Sequence, residues 1–110
     1  MYQPVLRAIS ESGETLEDPS EDALFLLLSD VDAGTAEFLI VERTSDPSGQ
    51  TYTQSLRLGD GRYVVERRDG APDRHYKTVA LDMRDAHALL TGWAFELEGW
   101  DRGHAWSRLD

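Results

Sequence analysis

The dipeptide Asp60-Gly61, set between two runs of alternating residues, constrains this chain more than any other feature. Upstream, Thr51 to Leu58 (TYTQSLRL) puts Tyr52, Leu56 and Leu58 on one face and Thr51, Thr53, Ser55 and Arg57 on the other. Downstream, Arg62 to Arg68 (RYVVERR) follows at once. A period of two is the strand signature, and Asp-Gly suits a tight turn whose two central positions take positive φ. The two runs are therefore expected to pair as an antiparallel hairpin. One side of the first strand then sees solvent or a partner.

The neighbouring segments extend this hairpin in both directions. Asp69-Gly70-Ala71-Pro72-Asp73 turns the chain into a further strand at His75 to Ala80, and SDPSGQ joins Glu37 to Thr44 (EFLIVERT) to the hairpin. Three short connections in succession imply an antiparallel meander of about four strands. In EFLIVERT, Phe38 and Ile40 point to one face and Leu39 and Val41 to the other, the pattern of a strand covered on both sides near the middle of a sheet. Tyr2 to Ile9 reads as an additional short strand, weakened by Pro4, and ESGETLEDPS as an exposed loop. Ala105 to Leu109 reads as a closing strand.

Two helices complete the pattern. Asp18-Pro19-Ser20-Glu21 is a helix start, with Asp18 as the cap, and predicts a helix from Pro19 to about Val31. Leu24, Leu27, Leu28 and Val31 form its apolar stripe, leaving Phe25 and Leu26 outside it, either packed under a neighbour or facing a partner. Asp82 caps the second helix, whose apolar face is Ala86, Leu89, Leu90, Trp93, Ala94 and Leu97, with Gly92 a local weak point. The expected fold is one α+β domain over residues 1–110, an antiparallel meander flanked by two helices on one face.

Composition limits the function. With 110 residues and no cysteine, the chain holds no disulfide or thiolate metal site. Its longest strongly apolar run, Leu24 to Leu28, is too short to span a membrane, so a cytoplasmic protein with no membrane partner is expected. The net charge of −10 argues against nucleic acid, since a phosphate backbone rewards clustered Lys and Arg. It favours a basic protein partner. Residues 1–35 carry eight acids against Arg7 alone, so the acidity is concentrated at one end of the chain.

Signatures of chemistry are sparse. His75, His87 and His104 are isolated in sequence, no glycine-rich phosphate loop occurs, and no serine sits in a nucleophile elbow. No catalytic, cofactor-binding or metal-ligating residue is assigned. The densest polar cluster, Glu66, Arg68, His75 and Tyr76 on two adjacent strand ends, is the alternative site for a small enzyme or ligand-binding domain. Cross-strand charge pairing explains the same residues without a function.

Trp93, Trp100 and Trp106 fall in the last eighteen residues. Trp93 fits the buried helix face, while Trp100 and Trp106 lie outside any period and suit either an interface anchor or a lid over a small core.

The run GQTYTQSLRLGDGRYVVERRDGAPDRHYKT, the helix DAHALLTGWAFE and the closing AWSRLD resemble small actinobacterial proteins of no assigned activity. The resemblance spans most of the chain after residue 17 and implies no catalytic residue. Arginine outnumbers lysine ten to one, in keeping with a high-GC genome. In general plan the chain is similar to bacterial toxin immunity proteins. The leading expectation is thus a non-enzymatic protein-binding domain that covers a basic effector. Its partner-binding residues are expected to be Glu14, Glu17, Asp18, Glu21 and Asp22, with Trp100 or Trp106 as anchors. A self-associating domain, dimerising through Phe25 and Leu26 or the open sheet face, is a further reading.

Overall fold

The computed structural model describes residues 4–11 and 13–109. In chain order it contains β1 (Leu6–Ser10), β2 (Thr15–Glu17), α1 (Glu21–Asp32), β3 (Phe38–Arg43), β4 (Thr51–Arg57), β5 (Tyr63–Asp69), β6 (His75–Ala80), α2 (Met83–Ala94) and β7 (Ser107–Arg108). The strands form one antiparallel sheet in the order β2-β1-β3-β4-β5-β6-β7. The expected four-strand meander is its centre, and β1, β2 and β7 bring the count to seven. Tyr2 and Gln3, placed in the first strand by the sequence, lie outside the described residues. The supposed loop ESGETLEDPS contains β2, which pairs with β1 through Arg7–Glu17 and Ile9–Thr15.

The hairpin between β4 and β5 is in register from Thr51–Asp69 to Arg57–Tyr63. Its turn differs from the two-residue form. Only Gly61 takes positive φ (89°), Leu58 N donates to Arg62 O, and Asp60 accepts from Arg62 N instead of adopting the left-handed region. This is a three-residue loop closed by a glycine bulge, the next commonest solution for a hairpin.

Local chemistry shifts the start of α1. Its cap is Ser20, whose hydroxyl accepts from Ala23 N at 3.1 Å, and the helix begins at Glu21. Asp18 instead accepts from Val5 N and Leu6 N at 2.9 and 3.0 Å, satisfying the first donors of β1. For α2 the expected cap holds, with Asp82 accepting from Asp85 N at 2.9 Å. The helix stops at Ala94, so Leu97 falls beyond it and is exposed. No basic residue lies in the last turn of α2, but Arg43 of β3 donates to Trp93 O at 2.9 Å and stacks 4.5 Å above the Trp93 ring. A cation is thereby placed where the helix dipole is negative.

Both helices cover the same sheet face. The core joins Leu24, Leu28 and Val31 of α1 and Ala86, Leu89, Leu90 and Trp93 of α2 to Leu6, Ala8, Leu39, Val41, Tyr63, Val65 and Ala80. Tyr63 donates to Asp32 Oδ1 at 2.9 Å, and burial together with that carboxylate pushes its phenol well above the usual range. It therefore stays a donor.

The covered face of β4 is its polar one. Thr53 and Ser55 are fully buried, and both helices pack against this strand. Small side chains under the seam between α1 and α2 let the two helices approach the sheet together. In β3, likewise, only Leu39 and Val41 are buried by helices, and Phe38 and Ile40 are on the other, uncovered face, so β3 is not sandwiched. Neither helix is long and apolar enough to cross a membrane.

Two substitutions test this packing. A Cβ on Gly92 would overlap the Cβ of Trp100, so Gly92→Ala should cost about 1–3 kcal/mol despite the better helix propensity of alanine, read by urea unfolding. The hydroxyls of Thr53 and Ser55 are buried without a hydrogen-bond partner among the described residues. Thr53→Val should therefore raise stability by about 1 kcal/mol in the same assay.

Candidate functional site

The acidic residues of the N-terminal third divide into two groups. Asp18 is occupied by the β1 backbone, and Glu17 lies 3.6 Å from Arg7. Glu14, Glu21 and Asp22 are exposed and make no ion pair among the described residues. The start of α1 suits Glu21 and Asp22, since carboxylates are favourable at a helix N-terminus.

Apolar side chains lie among these free carboxylates. Leu26 is 65% exposed, and Phe25 remains 38% exposed although its ring meets His87 edge-on at 5.3 Å. Asp22, Leu26 and Asp30 are four residues apart and share one line along the helix, and Glu21 and Phe25 are spaced in the same way. On the neighbouring strand, Leu16 is 42% exposed and lines a cleft of 310 Å³ with Leu27, Ala8, Glu14 and Thr15. One surface, from β2 across α1, thus combines unpaired carboxylates with uncovered leucines and a phenylalanine. Sequence periodicity marked Phe25 and Leu26; it gave no signal for Leu16, which depends on β2 pairing at the sheet edge.

Trp100 and Trp106 are placed elsewhere. Their rings meet edge to face at 5.8 Å and enclose the guanidinium of Arg67, which sits 5.1 Å from Trp100, 4.5 Å from Trp106 and 5.4 Å from Tyr76. Arg67 points to the helix side of β5 and donates to Asp101 Oδ2 at 2.8 Å, with Asp69 at 3.5 Å. Trp106 Nε1 donates to Asp101 O at 3.0 Å, and Thr78 Oγ1 to Ala105 O at 2.8 Å. This half-buried cation is held by rings and by the Asp101 carboxylate, while its Nε lies 3.5 Å from Asp69 and has no hydrogen-bond partner among the described residues. Both tryptophans form a lid held on the sheet by Arg67. Beside that lid, Arg43, Asp69, Trp93, Glu96 and Arg102 border an open cleft of 460 Å³.

The hairpin cluster comes together only in part. Glu66, Arg68 and His75 are on the uncovered sheet face, while Tyr76 is on the opposite one, against Arg67. Arg68 Nε donates to His75 Nδ1 at 2.9 Å, so the ring proton lies on Nε2, which donates to Glu66 Oε1 at 2.8 Å. Arg68 also donates to Gln50 Oε1 at 2.7 Å, and the Tyr52 ring meets His75 edge-on at 5.9 Å. His75 is only 8% exposed with both nitrogens engaged. The arrangement ties strand ends together and leaves neither imidazole nitrogen of His75 free. His104 is held by Asp85 at 2.9 Å and His87 by the Glu21 carbonyl at 3.0 Å. Among the described residues no group of three or more His, Asp or Glu could hold a metal ion.

No protein-family model, curated protein or solved structure matches the chain.

The lid carries an acid-sensitive contact. The Arg67 hydrogen bond holds the Asp101 carboxyl below its ordinary value of 3.8, against the opposing effect of burial. A depressed carboxylate stabilises the fold above that ordinary value, and the contribution is lost as pH falls through the lower folded value. Acid titration followed by tryptophan fluorescence should show the lid loosening below about pH 4, and Asp101→Asn should abolish that component.

Proposed function

We propose that the chain is a non-catalytic protein-binding domain whose α1–β2 surface takes a basic protein partner, in the manner of an immunity-like protein covering a basic effector. The observation that carries this reading is that Glu21, Asp22 and Asp30, which share α1 with the exposed Phe25 and Leu26, and Glu14, which lines a cleft with the exposed Leu16, make no ion pair among the described residues. Apolar side chains at the centre supply desolvation on contact, and the surrounding charge accelerates encounter and rejects acidic competitors. Glu17 and Asp18 contribute to the local negative potential while serving the fold. A cytoplasmic setting belongs to the same proposal.

The engagement of both His75 nitrogens favours binding over catalysis at the hairpin cluster. Trp100 and Trp106 lie outside this surface, packed on Arg67, and the C-terminal strand is at the sheet edge opposite β2.

The test is salt-graded co-purification from host lysate with three proteins: the unaltered chain, Glu14→Gln/Glu21→Gln/Asp22→Asn, and Leu26→Ser. The unaltered chain should retain one basic protein in near-equal amount. With that protein purified, the triple variant should slow association about tenfold or more at low salt, and Leu26→Ser should mainly speed dissociation. Binding unchanged in both variants would place the contact elsewhere.

A further inference from the structure

The sheet face turned away from the helices has an ordered arrangement of its own. Across the strands, Glu17, Arg7, Glu42, Tyr52, Arg68 and His75 stand in register as one rank. The next rank is Thr15, Ile9, Ile40, Gln54, Glu66 and Lys77, and the third is Phe38, Leu56, Val64 and Val79. Polarity therefore grades across the face, from a charged rank to an apolar one. Ile9, Phe38, Ile40, Leu56 and Val64 are partly exposed, and Val79 is 43% exposed, so six aliphatic and aromatic side chains form one uncovered patch. A contiguous apolar patch of this kind on a small protein marks an interaction surface.

Charge selects the occupant. Arg7, Arg68 and Lys77 balance Glu17, Glu42 and Glu66, and Arg7 lies within 3.6 and 3.4 Å of Glu17 and Glu42. This face is neutral in a chain of net charge −10, so the excess acidity lies on other surfaces. A basic partner gains no attraction here, whereas a second, equally acidic copy meets least repulsion here. The sheet edges offer little alternative, since β2 has three residues and β7 two, and short edges resist edge-to-edge pairing.

We propose that the uncovered sheet face is a self-association surface on which a second copy of the chain docks face to face. A two-fold axis through the rank Phe38, Leu56, Val64 and Val79 sets apolar side chains against their counterparts. Both charged ranks then lie at the rim, where they remain hydrated. Sheets stacked in this way pack about 10 Å apart. The surface is separate from the α1–β2 surface, so this proposal does not depend on the basic partner.

Sedimentation equilibrium on the purified chain, from about 1 μM to about 1 mM, tests it. A monomer–dimer equilibrium is expected, and it should tighten with added salt as the mutual repulsion of two acidic chains is screened. Binding of a basic partner would weaken under the same change. Leu56→Lys and the more exposed Val79→Lys should each weaken the dimer about tenfold or more. Leu26→Ser should leave it unchanged. Trp93, Trp100 and Trp106 lie on the helix side, so their fluorescence checks that each variant is folded without reporting the contact. A monomer throughout the range overturns the proposal, as does a dimer unaffected by both lysine substitutions or abolished by Leu26→Ser.

Discussion

Two twelve-residue helices cover one face of a seven-stranded sheet, and both pack on β4, where the buried side chains are Thr53 and Ser55. That covering organises the rest of the molecule. Both helices lie on the same side, so among the described residues no helix covers the second sheet face. Because the helix seam requires small residues in β4, the larger Tyr52 and Leu56 of the same strand are directed outward. An apolar outer face is thus a consequence of how the inner one is packed.

The same constraint explains what the sequence reveals and what it conceals. The β4–β5 hairpin, the meander order and α2 are legible because each rests on local signals: alternation, Gly61, Asp82 and a regular apolar stripe. Alternation shows that a strand has two unlike faces without saying which is covered. In β4 the hydropathic expectation runs opposite to the outcome, since the hydroxyl-bearing side is buried. In β3 both faces are apolar, yet one is open, so the pattern that suggested a sandwiched strand reflects the patch and not a second layer. β2 is illegible because three exposed residues pair only through a tertiary arrangement in which Asp18 holds the start of β1. With Asp18 occupied there, capping of α1 falls to Ser20.

The C-terminal segment follows from one half-buried cation. Arg67 alternates with Val65 and Tyr63, so it points inward, and an inward cation on a central strand needs carboxylates and rings around it. Asp69 is near in sequence, but Asp101, Trp100 and Trp106 arrive from more than thirty residues away. That separation is why periodicity left the two tryptophans unassigned. A signal was nonetheless present, in an arginine placed on the covered face of a strand whose own neighbours could not satisfy it. The lid in turn requires Gly92, because Trp100 packs directly against the α2 backbone at that position. The glycine that weakens the helix in isolation is the one the tertiary structure needs.

Charge then separates the two outward surfaces by the kind of contact each can make. On the α1–β2 surface Glu14, Glu21, Asp22 and Asp30 have no ion-pair partner among the described residues, and their field extends toward solvent over a Debye length of about 10 Å. On the open sheet face every acid stands near a base, so the field largely cancels and short-range apolar contact dominates. Salt should therefore act with opposite sign on the two, weakening the first contact and strengthening the second. For the two contacts proposed above, the net charge of −10 is what makes these effects opposite: it would draw a basic partner to one surface and leave a second copy of the chain the neutral one.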